Sequence, residues 1–159
     1  MVTADLFRQV LSNWGSGVTI VSTVDDAGVP YGLTVNSFTS VSLDPPLVLV
    51  CLDNRLSGLA HFSTTKKFGV SILAEAQQEV STIFAKKGVE RPASTFMMGE
   101  TGTPIVREAL AGIECSLEAT YPGGDHTIYV GRVEAVCLMA AAAGAKPLLY
   151  FRGRYERIP

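Results

Sequence analysis

The chain has 159 residues, of which 47% are hydrophobic and 18% charged, and a net charge of −2. That length suits a single domain, residues 1–159, around one core. The scattered Lys and Arg residues argue against nucleic acid, which asks for a broad basic face, and the apolar stretches are too short to span a bilayer.

Ala4 to Trp14 reads as an amphipathic helix capped by Thr3, with Leu6, Val10 and Trp14 in one stripe and Phe7 and Leu11 beside it. Its start lacks the charged-then-apolar pattern of a signal peptide, so a cytoplasmic protein is the expectation. Gly15 and Gly17 follow this helix and precede a strand, the reverse of the order in a dinucleotide fingerprint. Val18 to Val24 is β-branched and strand-like. Asp25, Asp26 and Gly28 turn it into a second strand, Tyr31 to Phe38, as a hairpin. A polar, proline-ended connection leads to Leu47 to Leu52, LVLVCL, whose unbroken apolar run predicts a strand buried on both faces.

Ser57 to Phe62 predicts a short helix starting near Asn54 or Ser57. Phe68 to Leu73 is a strand. Ala76 to Lys86 is a helix with Val80, Ile83 and Phe84 on one face, and Gly88 ends it. Val89 to Gly112 holds Pro92, Gly99, Gly102 and Pro104. It reads as a long loop, with one turn of helix at Ile105 to Leu110, of the kind that often covers a site. Ile113 to Tyr121 and Thr127 to Leu138 are strands around a PGGDH turn. Ala140 to Ala145 is a small-residue turn, and Leu148 to Tyr155 is the last strand. Roughly seven strands and three helices joined mostly by short turns, without a βαβ rhythm, predict a mainly β fold: an antiparallel barrel with peripheral helices.

The chemistry concentrates in Tyr31 to Asn54. Thr34, Asn36, Ser37, Thr39 and Ser40 gather hydroxyls and amides at the end of one strand, and the apolar strand beside it stops at Asp53-Asn54. Together they make a cradle for a flat, polar-edged ligand over an apolar floor. His126 follows Gly123-Gly124-Asp125 at a strand junction. There it can meet an amide, a phosphate or a ring, or simply bond the local turn. Asn54 and Ser57 suit either phosphate binding at a helix start or plain N-capping. Lys86 or Lys87 can supply a counter-charge to phosphate, or favour the helix C-terminus. No GxSxG elbow is present. Cys51 sits in an apolar run where a thiolate is disfavoured. Cys51, Cys115 and Cys137 read as three reduced, buried thiols, and their spacing does not suit zinc, so no metal site is expected.

GSGVTIVST, LTVNSFTSVSLDPPLVLVCLDNRLS, FGVSIL, TGTPIV, GGDHTIYVGRVEAV and PLLYFRGRY occur in this order along nearly the whole chain. As a set they resemble the flavin reductase-like domain family, the small reductase components of two-component flavin-dependent monooxygenases. The resemblance implies an FMN-binding split barrel with a Greek-key arrangement, a homodimer, FMN or FAD as flavin, and NADH or NADPH as reductant. It implies that Thr34, Val35, Asn36 and Ser37 follow the isoalloxazine edge and that Cys51, Leu52, Asp53 and Asn54 contact its other side. Asn54 and Ser57, with Lys86, would approach the ribityl phosphate. His126 would stand at the nicotinamide as the catalytic-site histidine, and the segment from Tyr150 through Arg152 to Gly153 would border the site. Reduced flavin would pass to a partner oxygenase. The alternative is a non-reductase FMN-binding electron-transfer flavoprotein on the same barrel.

Overall fold

The computed structural model describes all 159 residues, the side chain of Ala141 excepted. Helix α1, Ala4–Leu11, is capped as expected: Thr3 Oγ1 accepts the Leu6 N–H at 3.2 Å. A two-residue strand β1, Ser16–Gly17, leads to the hairpin of β2, Thr19–Val24, and β3, Pro30–Val35. Next come β4, Thr39–Leu43, and β5, Pro46–Asp53, so the expected polar, proline-ended connection is itself a strand paired with β5 as a hairpin. Helix α2 covers Leu59–Thr65, β6 Lys67–Ile72 and α3 Gln78–Ala85. A short hairpin, β7 Phe96–Met98 and β8 Pro104–Val106, precedes the long hairpin of β9, Ala111–Gly123, and β10, His126–Leu138. The chain closes with β11, Leu149–Phe151, and β12, Arg154–Glu156.

Seven strands form one antiparallel sheet in the order β3-β2-β6-β9-β10-β5-β4. Its edges, β3 and β4, are joined by only Asn36, Ser37 and Phe38. A flat sheet would hold those edges about 29 Å apart at roughly 4.8 Å per strand, but the connection reaches at most about 14 Å. The sheet must therefore roll into a barrel. Ser37 ties the seam: its Oγ accepts the Cys51 N–H at 2.9 Å and donates to Cys51 O at 3.0 Å.

A rolled sheet has one inner face, and this corrects the expectation for β5. Val48, Val50 and Leu52 are buried inside, while Leu47, Leu49, Cys51 and Asp53 on the other face are half-buried. The inner cluster joins these residues to Val21, Leu33, Phe62, Phe68 and Tyr129. A second cluster, Ile20, Leu73, Phe84, Phe96 and Leu148, lies under α3, with Val80 and Ile83 on the face the periodicity assigned them. Of the three thiols only Cys115 is buried, and burial pushes it up to about 12; Cys51 and Cys137 are half-exposed by comparison.

The expected long loop at 89–112 is a second correction. Phe96, Ile105 and Val106 are buried in the β7–β8 hairpin, so Ile105 starts no helix. The hairpin turn is built on Glu114 of β9. Its buried carboxylate accepts N–H groups from Glu100 at 2.7 Å and Thr101 at 2.8 Å, and the Thr101 hydroxyl at 2.5 Å. Burial by itself raises the pKa of Glu114, but the hydroxyl and N–H donors outweigh it and hold the group below its ordinary value. Glu114→Gln is therefore expected to cost about 1–3 kcal/mol in denaturant unfolding at neutral pH, because a buried charge-assisted acceptor is lost. A depressed folded pKa stabilises above the unfolded value, so the difference from the parent should shrink as pH falls below the ordinary carboxylate range.

The last expected strand is two short ones around a turn, with Arg152 and Gly153 at φ 49° and 79°. Helix α1 is shorter than expected and buries none of its residues.

Candidate functional site

Two adjoining chambers, of about 240 and 310 Å³, form a groove at the seam of the barrel and share Leu56, Lys87 and Arg91. In the first, the segment Thr34–Ser37 makes one wall and Cys51–Asp53 the other, over the buried side chains of Leu33, Leu52 and Phe84. These walls face each other because the roll of the sheet brings the end of β3 to β5, where Ser37 bonds Cys51. Ser37→Ala would leave the Cys51 N–H without its acceptor, a loss expected to cost about 1–3 kcal/mol. The same variant should weaken binding of a ligand in the groove, measured by titration, since both walls lose their tie.

Opposite stands His126, the first residue of β10, directly across from Asp53 of β5. Its Nδ1 lies 2.7 Å from Asp125 Oδ1. Hydrogen bonding to His126 holds the Asp125 carboxyl below its ordinary value. An ionised Asp125 accepts from Nδ1, which orients the ring and leaves Nε2 free of that bond. Asp53 is held as an anion, well below the usual carboxylate range, by the side-chain hydrogen bonds of Arg55 at 2.7 and 3.0 Å and by the Arg55 N–H.

The second chamber carries Tyr31, Arg55, Ser57, Lys87 and Arg91. A smaller one, about 150 Å³, adjoins the first through Thr34, Asn36 and Ala85 and is bordered by Tyr150 and Tyr155. There the Tyr155 hydroxyl meets Ser81 Oγ at 2.7 Å, and Thr34 Oγ1 donates to Ser81 O at 2.6 Å.

The structure thus brings together Thr34, Val35, Asn36, Ser37, Cys51, Leu52, Asp53 and His126, with Ser57 and Tyr150 in the flanking chambers. Three expected residues lie off the groove walls. Asn54 accepts the Thr127 hydroxyl at 2.7 Å, and its N–H donates to Asp125 O at 3.0 Å, so it braces the turn that presents His126. Neither Asn54 nor Ser57 caps a helix, since α2 begins beyond them at Leu59 behind Gly58. Lys86 ends α3 with its carbonyl accepting Arg91 Nη2 at 3.0 Å, and Lys87 lines the chambers instead. Arg152 donates to Asn13 Oδ1 at 3.0 Å and lies over the Phe151 ring, tying the last hairpin to the end of α1. Sequence reading gave no role at the site to Tyr31, Arg55, Phe84, Arg91 or Tyr155. Arg91 carried no signal because it falls in the least regular part of the chain.

No three His, Cys, Asp or Glu side chains gather as a metal would need among the described residues. An antiparallel rolled barrel with a cleft at its seam, polar-walled and apolar-floored, has the form of a small-molecule binding domain. Residues 11–159 match the flavin reductase-like domain family, and the chain belongs to it. It is 38% identical to the NADH-dependent flavin reductase StyB of Pseudomonas fluorescens, across 99% of this chain and 92% of that protein. It is 39% identical to HsaB of Rhodococcus jostii, the reductase subunit of a flavin-dependent monooxygenase, across 96% of this chain and 76% of that one. Among solved structures it superimposes on the NADH:FAD oxidoreductase SgcE6 of Streptomyces globisporus, in complex with NAD and FAD fragments. That match has a TM-score of 0.90 and 32% identity over 100% of this chain and 96% of that one.

Proposed function

We propose that this protein is an NADH-dependent flavin reductase whose reduced flavin serves a flavin-dependent oxygenase, as the names of its relatives describe for those proteins. The observation that carries the reading is the seam groove: a polar-walled, apolar-floored chamber lined by an oriented histidine and by Lys87 and Arg91, which it shares with the chamber beside it. When bound, flavin supplies the acceptor for a hydride from the nicotinamide. The chain's own contribution is placement. Leu33, Leu52 and Phe84 give the apolar floor, and Thr34–Ser37 and Cys51–Asp53 give the two walls that would meet a ring edge. Wall N–H groups not already committed, as the Cys51 N–H is to Ser37, would steady negative charge there much as an oxyanion hole does. His126, oriented by Asp125, receives the nicotinamide side.

The test is steady-state NADH oxidation by the purified protein with no flavin, with FMN and with FAD. Turnover that requires added flavin supports the reductase. A protein that purifies yellow yet turns over neither NADH nor NADPH is the electron-transfer flavoprotein instead.

A homodimer is part of the proposal, supported by the unburied face of α1. Phe7 and Val10, on a helix that buries nothing in its own chain, are 54% and 60% exposed, and Trp14 just beyond its end is 79% exposed. A solvent-facing apolar stripe of this kind marks an interface. Val10→Glu combined with Trp14→Glu is expected to shift the protein from dimer to monomer in light scattering; an unchanged mass would place the interface elsewhere.

A further inference from the structure

Asp53 is the one carboxylate among the described residues lining the first chamber. It pairs directly with His126 across β5 and β10, so the two side chains leave the sheet on the same face. Cys51, two residues earlier on β5, shares that face, while Leu52 between them is buried inside the barrel. Arg55 holds Asp53 as an anion through hydrogen bonds at 2.7 and 3.0 Å. The two charges of this pair do not face the same space. Asp53 lines the first chamber and not the second, and Arg55 lines the second and not the first. The Asp53 side chain is 25% exposed and that of Arg55 76%, so water screens the cation more than the anion. Lys87 and Arg91, the other cations of the first chamber, are those it shares with the second. Asp125, bonded to Nδ1 of His126, adds a further anion nearby. Beside His126 the first chamber therefore carries negative charge.

We propose that Asp53 is a catalytic residue of the hydride transfer: its carboxylate faces the nicotinamide and stabilises the positive charge that ring acquires as it gives up hydride. The inference rests on the reductase reading of the groove, with His126 on the nicotinamide side. A dihydronicotinamide ring is neutral. Hydride leaves its C4 with both bonding electrons for N5 of the flavin. The C–H bond breaks, an N–H bond forms, and the nicotinamide is left a pyridinium cation. The attraction to Asp53 is thus absent in the bound reductant and grows towards the transition state. A contact of that kind raises kcat rather than lowering KM. A carboxylate would oppose negative charge on the flavin, so its benefit lies on the nicotinamide side, where His126 stands. Arg55 keeps Asp53 ionised but also offsets part of its field, so the two residues act on the ring with opposite signs.

Calorimetric binding to protein saturated with oxidised flavin tests this without turnover. One probe is NAD⁺, whose nicotinamide ring is cationic. The other is the tetrahydro form of the reduced dinucleotide, whose ring is neutral and gives up no hydride. The rest of the two molecules is the same, so their affinity ratio reads the ring charge. Asp53→Asn is expected to weaken NAD⁺ about tenfold relative to the tetrahydro form, which is about 1.4 kcal/mol. Arg55→Ala is expected to move the ratio the other way, because it uncovers the carboxylate. In single-turnover mixing at saturating NADH, Asp53→Asn should slow flavin reduction by a similar factor. An unchanged ratio in Asp53→Asn would overturn the proposal. So would a ratio that both variants shift in the same direction, the mark of an ion pair that only shapes the wall. A parent protein without flavin-dependent NADH oxidation would remove the reductase reading, and this inference with it.

Discussion

Phe62→Ala is expected to destabilise the protein by about 3–5 kcal/mol, the range for emptying a buried aromatic site. Phe62 is 1% exposed and sits on α2, which packs against β2 and β6. It packs edge-on against Tyr129 of β10 and Tyr31 of β3, at 6.2 and 6.3 Å between centroids. The two rings come from different strands, so no single neighbour can move to fill the space. Against a typical total of about 5–15 kcal/mol, the loss is a large fraction of stability. A fall in the denaturant midpoint with an unchanged slope would confirm it. Because Tyr31 also lines the second chamber, the same variant should bind flavin more weakly even where it remains folded.

His126→Ala should raise the apparent KM for NADH about tenfold or more, which is about 1.4 kcal/mol of binding. The flavin dissociation constant should change little. The reason lies in placement. His126 lines the groove with its ring fixed through Nδ1 by Asp125, and although its backbone pairs with Asp53, its side chain takes no part in the Ser37–Cys51 tie that holds the two walls together. Hydride transfer needs no protein acid or base, so kcat at saturating NADH should fall less than kcat/KM. Asp125→Asn, which keeps a side chain that can accept from Nδ1, should show a milder form of the same pattern. An unaltered KM for NADH in His126→Ala would remove the histidine from the nicotinamide side.

Much of this was legible in the sequence wherever a local pattern fixes the answer. The β2–β3 hairpin followed from β-branched residues and a turn marked by Asp25, Asp26 and Gly28, and α3 from the spacing of Val80, Ile83 and Phe84. The polar strand end at Thr34–Ser37 and the stop at Asp53 marked the two walls, and the roll of the sheet did bring them face to face. What was not legible depends on long-range packing. The run LVLVCL suggested two buried faces, but a rolled sheet offers only one inside. The β7–β8 hairpin has three-residue strands too short to show periodicity, and Glu114, which organises its turn, lies on a different strand. Asn54 looked like a ligand or a cap and instead braces the turn before His126 through Thr127. Tyr31, Lys87 and Arg91 come together only because α3 returns its C-terminal end to the seam.

The central claim is that hydride moves from the nicotinamide to a flavin held in the seam groove. Anaerobic rapid mixing of NADH with the protein and flavin tests it most directly. The account predicts that the absorbance of oxidised flavin disappears in step with NADH, one for one, and only when the protein is present. NADH consumed while the flavin stays oxidised, or bleaching at the same rate without protein, would contradict it.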